Sequence, residues 1–544
     1  MAIALLLPVA ALAERPTQLI ATSYGAAGRV SGSMHVLDTG DARWLVDCGT
    51  IYDDELPERS ADDERSAASD SQSDTPSRRL PIDAERIAAL MLTHTHVDHC
   101  GRVPVLVDEG FDGPIYMTRS TATLARVMLE GQVRYDTARM REWVWSENSR
   151  EDAQINRRRL TVHWHGCKYQ NSIGRRNRES KRCSGQELFD YFSGLKPRVE
   201  ARLCGQCGED EVARIMQQAE AVEFGRSRRV AWGVRTTFLP AGHIPGAASV
   251  LFEVAIDGRV YRVLYSGDLG NELSPLMPGP PPAPKVDAVF VEGTYGATHR
   301  RSDVAKQRAE FRKLLGRIVE EKGVVWIPAF ALDRTQKVLY EIRLAQDEGL
   351  LPQRLPVYVP SPSARRFTEI YEQHQGKGWF LPPVAEDDDA FAPSEIERTV
   401  PWAAKLPRPC IIISISDVMY TEWMRRLLRS LLPEPSTHLV LVGYTDPASA
   451  TGQLKQGIEQ IHIDGRRVDV EAEVHSFGCF SGHGDATDID RWLKNVPNNA
   501  PVVLVHGDES ALRERAEQLR RQGRQHVLVA EEGSPIDLLE LIQP

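Results

Sequence analysis

Four side chains that commonly bind metal ions fall within six consecutive positions: His94, His96, Asp98 and His99. They directly follow the apolar run 88–92, which predicts a strand. Neutral imidazole nitrogens and carboxylate oxygens are ligands that Zn²⁺ prefers in proteins. Because His94 and His96 alternate, both can turn to one ion, while Asp98 and His99 face a second. The segment therefore predicts a pair of zinc ions at the end of a strand.

Three further candidates follow strand-like segments elsewhere in the chain. His243 lies in the segment 240–246, whose glycines let the backbone approach closely. Asp268 follows the run 260–265 and could bridge two ions. Asp47 follows the run 44–46, and we expect it to orient a ligand from outside the ligand shell. Each alone would be an ordinary loop residue, but their joint order favours a shared site.

Strand-like and helical segments alternate through most of the chain, which predicts a layered α/β architecture. The strand-like runs are 44–46, 88–92, 260–265, 288–291, 324–327, 411–413, 439–442 and 502–505. At roughly 100–200 residues per domain, 544 residues predict about two to four domains, with ample material for large cores.

The composition narrows the class and compartment of the protein. A formal net charge of −10 argues against a globally basic nucleic-acid coat, although it leaves room for local basic patches. Eight cysteines fit a reducing compartment, so we expect a cytoplasmic protein. The apolar residues 1–13 resemble a signal peptide but lack its basic start, which makes secretion the minority alternative. No apolar run reaches the length of a membrane span, so no membrane contact is expected.

Two segments differ from their surroundings. The acidic, serine-rich segment 53–79 predicts a solvated loop. In contrast, residues 150–202 contain 13 Lys and Arg against 6 Asp and Glu, interleaved with aromatic side chains. Such a segment can bind phosphates and stack on bases, but a solvated insertion with a small core of its own explains the composition equally well. On the first interpretation, candidate nucleic-acid contacts are Arg175, Arg176 and Arg178.

Four cysteines lie in or beside the basic insertion: Cys167, Cys183, Cys204 and Cys207. Four thiolates could close a tetrahedral structural zinc site and fold a segment that has little core of its own. Reduced, partly buried thiols are the alternative.

The order of these residues resembles the successive motifs of the metallo-β-lactamase fold, and later segments resemble its β-CASP nucleic-acid-processing branch. The segment 292–296 resembles the acidic first β-CASP motif, and 327–336 is similar to a PxFAxGRxQ segment with Asp333 in place of Gly. The segment Ser-Gly-His-Gly-Asp at 481–485 resembles the SAHAD motif, and 505–508 resembles the final LVHGE motif.

The resemblance implies roles for particular residues. One zinc would be bound by His94, His96 and His243, and the other by Asp98, His99 and His506, with Asp268 as the bridge. His483 would be the general acid, oriented by Glu292, and Asp98 is counted with these two as catalytic. Arg334, in the segment similar to PxFAxGRxQ, is a candidate nucleic-acid contact.

The resemblance also implies an architecture. We expect a four-layer αββα metallo-β-lactamase domain formed by residues 17–295, including the loop 53–79 and the insertion at about 150–207, and by the return segment 476–544. A β-CASP α/β domain over 296–475 would be inserted between them, with the active site in the cleft.

The expected function is that of a zinc-dependent ribonuclease, which hydrolyses RNA phosphodiester bonds by a hydroxide that two zinc ions activate, in RNA processing or decay. His506 favours RNA, because the corresponding position tends to be Val in DNA-repair members of the family. Single-stranded RNA is the expected partner. A DNA nuclease of the same fold and a non-catalytic scaffold are the alternatives, and endonuclease action, 5′-exonuclease action and a homodimer are left open.

Overall fold

A computed structural model of the chain describes residues 15–51, 80–134, 163–164, 167–168, 205–299, 303–393, 396–415, 421–443, 445 and 449–542. The acidic loop and residues 1–13 lie outside the described residues, as do Arg175, Arg176, Arg178, Cys183 and Cys204. The side chains of Cys167 and Cys207 are also outside them. The predictions for these residues therefore stay predictions.

The apolar segments that the sequence predicts as strands do form strands, and further strands join them in the sheets. The described strands are β1 (Ile20–Ser23), β2 (His35–Asp38), β3 (Arg43–Val46), β4 (Ile87–Met91), β5 (Ile115–Thr118), β6 (His163–Trp164), β7 (Cys167–Lys168), β8 (Ala219–Val222), β9 (Arg228–Ala231), β10 (Val234–Pro240), β11 (Ala248–Ile256), β12 (Arg259–Tyr265), β13 (Ala288–Glu292), β14 (Val324–Pro328), β15 (Val357–Tyr358), β16 (Ile396–Glu397), β17 (Cys410–Ser414), β18 (Thr437–Leu441), β19 (Gln460–Ile463), β20 (Arg466–Asp469), β21 (Glu473–Ser476), β22 (Val502–Val505), β23 (Val527–Val529) and β24 (Pro535–Asp537).

Two seven-stranded sheets pack face to face and form the larger part of the fold. The first has the order β24-β1-β2-β3-β4-β5-β8, and the second has the order β23-β22-β13-β12-β11-β10-β9. One apolar core contains buried side chains of both sheets, among them Trp44 and Met91 of the first and Phe252 and Phe290 of the second. Burial of such large side chains from water holds the two sheets together.

Helices cover the outer face of each of these two sheets. On the first sheet, buried Leu90 shares a core with Leu106 and Val212 of the helices Val103–Asp108 and Gly205–Gln218. On the second sheet, Val289 and Leu504 share a core with Leu512, on the helix Glu509–Arg521. The four-layer αββα prediction is therefore confirmed.

A third sheet is formed by residues that lie between β13 and β22 in the chain. Its order is β16-β15-β17-β14-β18-β21, and every neighbouring pair is parallel. Buried apolar side chains cover both of its faces, as expected for a parallel sheet. This is the inserted α/β unit that the sequence predicts, while the domain limits at 295 and 475 stay predictions.

The described helices connect and cover these sheets. Apart from the helical residues 119–134, they are Val97–Cys100, Val103–Asp108, Gly205–Gln218, Val304–Glu320, Arg334–Asp347, Pro362–Gln373, Pro382–Ala385, Glu422–Leu431, Ala450–Lys455, Ala486–Trp492, Glu509–Arg521 and Leu538–Leu541. None of the described helices combines the length and the apolar composition that a membrane span requires.

Position 333 is Asp in this chain, whereas the similar PxFAxGRxQ segment has Gly there, and the structure gives a reason for the difference. Its φ of 68° and ψ of −50° are close to a γ-turn of the rare, strained kind, and Arg334 N–H donates to Leu332 O across it at 2.9 Å. The buried carboxylate lies 2.5 Å from Nζ of Lys337, which is also buried. Burial lowers the pKa of Lys337, and the charge of Asp333 opposes that shift. Asp333 thus has a backbone conformation that suits glycine, and its side chain forms a buried ion pair with Lys337.

We predict that Asp333→Gly destabilises the protein by about 2 kcal/mol. Glycine relieves backbone strain of about 1–3 kcal/mol, but it leaves a buried lysine without its partner, at a cost of about 3–5 kcal/mol. In Asp333→Gly/Lys337→Met the buried charge is gone, so we expect stability equal to or above that of the wild type. Denaturant unfolding of the wild type, Asp333→Gly, Lys337→Met and the double variant measures the free energy of unfolding of each. A double variant no more stable than Asp333→Gly would contradict this account.

Candidate metal centre

The ends of parallel strands bring the predicted residues together. In the first sheet, β3 and β4 are parallel neighbours, so Asp47 and His94 emerge at the same edge. The short helix Val97–Cys100 follows directly and holds Asp98 and His99. In the second sheet, β12, β13 and β22 are parallel neighbours. The carboxyl ends of these three strands place further side chains beside those of the first sheet: Asp268, Glu292 and His506.

Two of these residues have an unusual backbone conformation. Asp47 has a φ of 61° and His506 a φ of 53°, in the left-handed region that residues other than glycine rarely adopt. Such conformations cost about 1–3 kcal/mol each and persist where the surroundings enforce them. Both residues directly follow a strand, and both side chains turn toward the site. The strain is therefore consistent with a functional arrangement.

One group of ligand atoms, which we call cluster A, consists of His94 Nε2, His96 Nδ1, His243 Nε2 and Asp268 Oδ2. His96 Nδ1 lies 3.2 Å from His94 Nε2 and 3.1 Å from His243 Nε2. Asp268 Oδ2 lies 3.4 Å from His94 Nε2 and 3.5 Å from His243 Nε2. In a tetrahedral zinc site with bonds of about 2.0–2.1 Å, the donor atoms lie about 3.3 Å apart. The four atoms therefore have the spacing of a zinc coordination shell.

A second group, cluster B, consists of Asp98 Oδ2, His99 Nε2, His506 Nε2 and Asp268 Oδ1. His506 Nε2 lies 3.0 Å from His99 Nε2 and 3.4 Å from Asp98 Oδ2. Asp268 Oδ1 lies 3.1 Å from His99 Nε2 and 3.4 Å from His506 Nε2. Asp268 thus contributes a different carboxylate oxygen to each cluster.

The residues present fit a pair of metal ions. Asp268 Oδ1 is a buried carboxylate oxygen without a hydrogen-bond partner, although two imidazole nitrogens lie within 3.4 Å of it. A buried carboxylate oxygen in this state is costly unless a cation is bound between it and those nitrogens. The donor set of nitrogens and carboxylate oxygens is that of zinc and similar divalent ions.

Asp47 occupies the orienting position that the sequence predicts for it. His99 Nδ1–H donates to Asp47 Oδ2 at 2.7 Å, which leaves the Nε2 lone pair of His99 directed into cluster B. The carboxylate is itself fixed, because the backbone N–H and the hydroxyl of Thr93 both donate to it at 2.8 Å. Asp47 therefore fixes the ring orientation of a candidate ligand.

Thr294 performs a similar role for His506, which the sequence motifs did not predict. His506 Nδ1–H donates to Thr294 Oγ1 at 3.1 Å, which leaves Nε2 for cluster B. The Thr294 hydroxyl donates in turn to Glu292 Oε2 at 2.6 Å. The one feature of the sequence that could have indicated this role is the position of Thr294, two residues after Glu292 in the acidic motif.

His483 lies beside the two clusters, and Glu292 holds it. Its Nδ1 lies 3.0 Å from Glu292 Oε2 and 3.8 Å from Asp268 Oδ2. Burial opposes the charged form of His483, but the charges of Glu292 and Asp268 raise its pKa to about 9. The side chain is 18% exposed, whereas those of Glu292 and Asp268 are 1% exposed. The surroundings of His483 thus favour its protonated form, and its ring is partly exposed at the edge of the site.

The loop that carries His483 is fixed at both sides. Asp485 and Asp488 form a capping box that begins the helix Ala486–Trp492. On the other side, a Cβ atom at Gly482 would lie 2.7 Å from the ring of His243. The family motif has Ala at this position, so the glycine of this chain allows His243 and the loop to pack more closely.

The pKa values of the cluster A histidines favour metal binding, whereas the pKa of His99 reflects the negative charge around it. Burial lowers the pKa of His94 and lowers those of His96 and His243 well below the ordinary value, which keeps these rings neutral. Burial acts the same way on His99, but the charges of Asp268 and Asp47 outweigh it and raise the pKa. Although burial opposes ionisation of Asp268, the surrounding histidines hold the pKa of that carboxyl well below its usual range.

Every residue predicted for the active site lies in or against the two clusters, while their roles as ligands and acid stay predictions. Arg334 lies elsewhere, at the start of the helix Arg334–Asp347 in the inserted unit. Its guanidinium lies over the ring of Phe330 at 5.8 Å and donates to Val442 O. Its proposed contact with nucleic acid stays a prediction.

Three family models match separate parts of the chain. The metallo-β-lactamase superfamily matches residues 27–168, and the Beta-Casp domain matches 335–454. A third family, described as a Zn-dependent metallo-hydrolase RNA specificity domain, matches 467–530.

Known proteins are similar over most of the chain. A ribonuclease of Thermus thermophilus is 28% identical over 530 residues, 94% of this chain and 99% of its own. An RNase J-like protein of Methanocaldococcus jannaschii is 27% identical over 89% of this chain and 91% of its own. Cleavage and polyadenylation specificity factor 73 of Drosophila melanogaster is 22% identical over 81% of this chain and 55% of its own.

An αββα fold with clustered histidines and aspartates at one sheet edge defines a metal-dependent hydrolase. With the matches to all three models, the chain belongs to the metallo-β-lactamase superfamily, in the branch that carries a β-CASP domain.

Proposed function

We propose that the chain is a zinc-dependent ribonuclease that hydrolyses phosphodiester bonds of single-stranded RNA in RNA processing or decay. The observation that carries the proposal is Asp268, whose two oxygens belong to two separate groups of ligand atoms. An arrangement with two ions suits phosphoryl transfer, in which both the attacking and the leaving oxygen need stabilisation.

We assign one Zn²⁺ to His94, His96 and His243 and the other to Asp98, His99 and His506, with Asp268 shared by both. When bound, two such ions polarise a phosphoryl oxygen and lower the pKa of a water molecule so that it can attack at neutral pH. The protein supplies fixed ligand orientation: Asp47 and Thr294 hold His99 and His506 by the ring nitrogens that face away from the clusters.

The leaving oxygen needs a proton, and His483 is the residue placed to donate it. Its Nδ1 side is held by Glu292, so Nε2–H is left for the substrate. A group that holds its proton at neutral pH and is partly exposed suits general acid catalysis. Glu292 acts through His483 as a positioning residue.

RNA is the substrate that the similar proteins favour. The model matched by residues 467–530 is named for RNA specificity, and a relative covered over 99% of its length is named a ribonuclease. His506 supports the same assignment, because the family resemblance associates a histidine at this position with RNA-processing members.

The substrate is tested by giving the zinc-loaded chain matched RNA and DNA strands of one sequence, each labelled at the 5′ end. We expect the RNA strand to be cleaved faster, since the 2′-hydroxyl is the group that distinguishes the two. The fragment lengths separate internal cleavage from removal of 5′ nucleotides. Equal or faster cleavage of DNA would overturn the RNA assignment and favour a DNA nuclease.

A further inference from the structure

A third group of metal-ligating side chains lies on the inserted sheet: His438, Glu473 and His475. His438 is on β18, and the other two are on the edge strand β21. In the parallel register His438 is opposite Glu473, and Val440 is opposite His475. Because side chains alternate between the faces of a sheet, the three ligand side chains share one face.

Their donor atoms converge on one point. His438 Nδ1 lies 3.2 Å from His475 Nε2 and 3.5 Å from Glu473 Oε2, and His475 Nε2 lies 3.3 Å from the same oxygen. These are the spacings expected for three corners of a tetrahedral zinc site, about 3.3 Å. Glu473 Oε2 could accept an N–H from both histidines, but two protonated nitrogens would then lie only 3.2 Å apart. A cation between the three atoms would instead accept a lone pair from each of them.

The surroundings leave room for an ion and for a ligand from solvent. The His438 side chain is 5% exposed, that of His475 is 21% exposed, and that of Glu473 is 58% exposed. Burial is the largest cause that lowers the pKa of both histidines, so both rings offer lone pairs at neutral pH. The competing cation is Arg317, whose Nη2 lies 3.9 Å from Glu473 Oε2, and its side chain is 54% exposed. A pair this exposed and this distant contributes little.

We propose that His438, Glu473 and His475 form a further zinc site, separate from clusters A and B, with a water molecule as the fourth ligand. This inference does not depend on the proposed ribonuclease function. A bound ion would link the edge strand β21 to its neighbour β18. Since β21 leads through the turn Gly478–Phe480 to His483, the ion would stabilise the segment that carries the proton donor.

The test counts zinc ions in the purified full-length chain after removal of metal, reloading with Zn²⁺ and dialysis at a fixed free zinc concentration. We compare the wild type with His475→Gln and with Glu473→Gln/His475→Gln, which change partly exposed positions on an edge strand. The matched control is His462→Gln, at an exposed position of β19. Ions at clusters A and B, and at the cysteines, cancel in the difference.

We expect both ligand variants to bind about one Zn²⁺ per chain fewer than the wild type, and the control to bind the same number. A zinc anomalous-difference map of wild-type crystals should show a peak between the three donor atoms. An unchanged count in both variants, or a crystal with zinc at clusters A and B but no peak here, would overturn the proposal.

Discussion

Asp268→Asn is expected to lower the rate of RNA cleavage by at least about 10³-fold. The side chain keeps its shape, but one carboxylate oxygen becomes an NH₂ group that faces either cluster A or cluster B and cannot accept a metal bond. Loss of about 4 kcal/mol of charge stabilisation in the transition state corresponds to this factor. The rate of cleavage of labelled RNA and the zinc content of the same sample are the measurements.

The matched control for this variant is Asp257→Asn. Asp257 is exposed in the turn between β11 and β12, at a φ of 49° that asparagine adopts readily. Both variants remove one negative charge, so a general effect of net charge would appear in both. If Asp268→Asn retained its zinc and cleaved RNA within a few-fold of the wild type, the bridging role of Asp268 would be wrong.

His483→Gln is expected to lower the rate of RNA cleavage by about 10²–10⁴-fold, the usual contribution of a general acid. Its zinc content should equal that of the wild type, because His483 is assigned to neither ion. This second measurement matters, since His483 also lies near Asp268 and His506 and could otherwise be read as a ligand. Glu292→Gln should lower the rate in the same direction through its contact with Nδ1.

A substrate with a good leaving group separates the acid role from general damage to the site. Nitrophenolate departs from bis(4-nitrophenyl) phosphate without being protonated, so its hydrolysis needs no general acid. We expect His483→Gln to hydrolyse this diester much closer to the wild-type rate than it cleaves RNA. An equal loss on both substrates would show that His483 does not act as the acid.

The candidate metal centre could be predicted from sequence because several of its residues directly follow apolar strand-like runs. Strands that run in parallel present their carboxyl ends at one edge, so the chain order of Asp47, His94, Asp268 and His506 already implied proximity. The alternation of elements predicted a layered α/β architecture, whereas the αββα layers and the inserted α/β domain followed from the family resemblance.

Other features depend on which strands become neighbours, and spacing along the chain does not show this. Thr294 bonds both Glu292 and His506 only because β13 and β22 pair in parallel. His438 and His475 meet because β21 joins β18 at the edge of the inserted sheet. The ion pair in the turn at Asp333 likewise needs the first turn of the following helix to place Lys337 against it.

The most direct test of the central claim is cleavage of labelled single-stranded RNA by the zinc-loaded wild type and by Asp98→Ala/His99→Ala. The double variant removes two of the three ligands that cluster B does not share with cluster A. We predict that the wild type cleaves the RNA and that the variant, although folded, does not. A wild-type chain that holds both zinc ions and leaves the RNA intact would contradict the account.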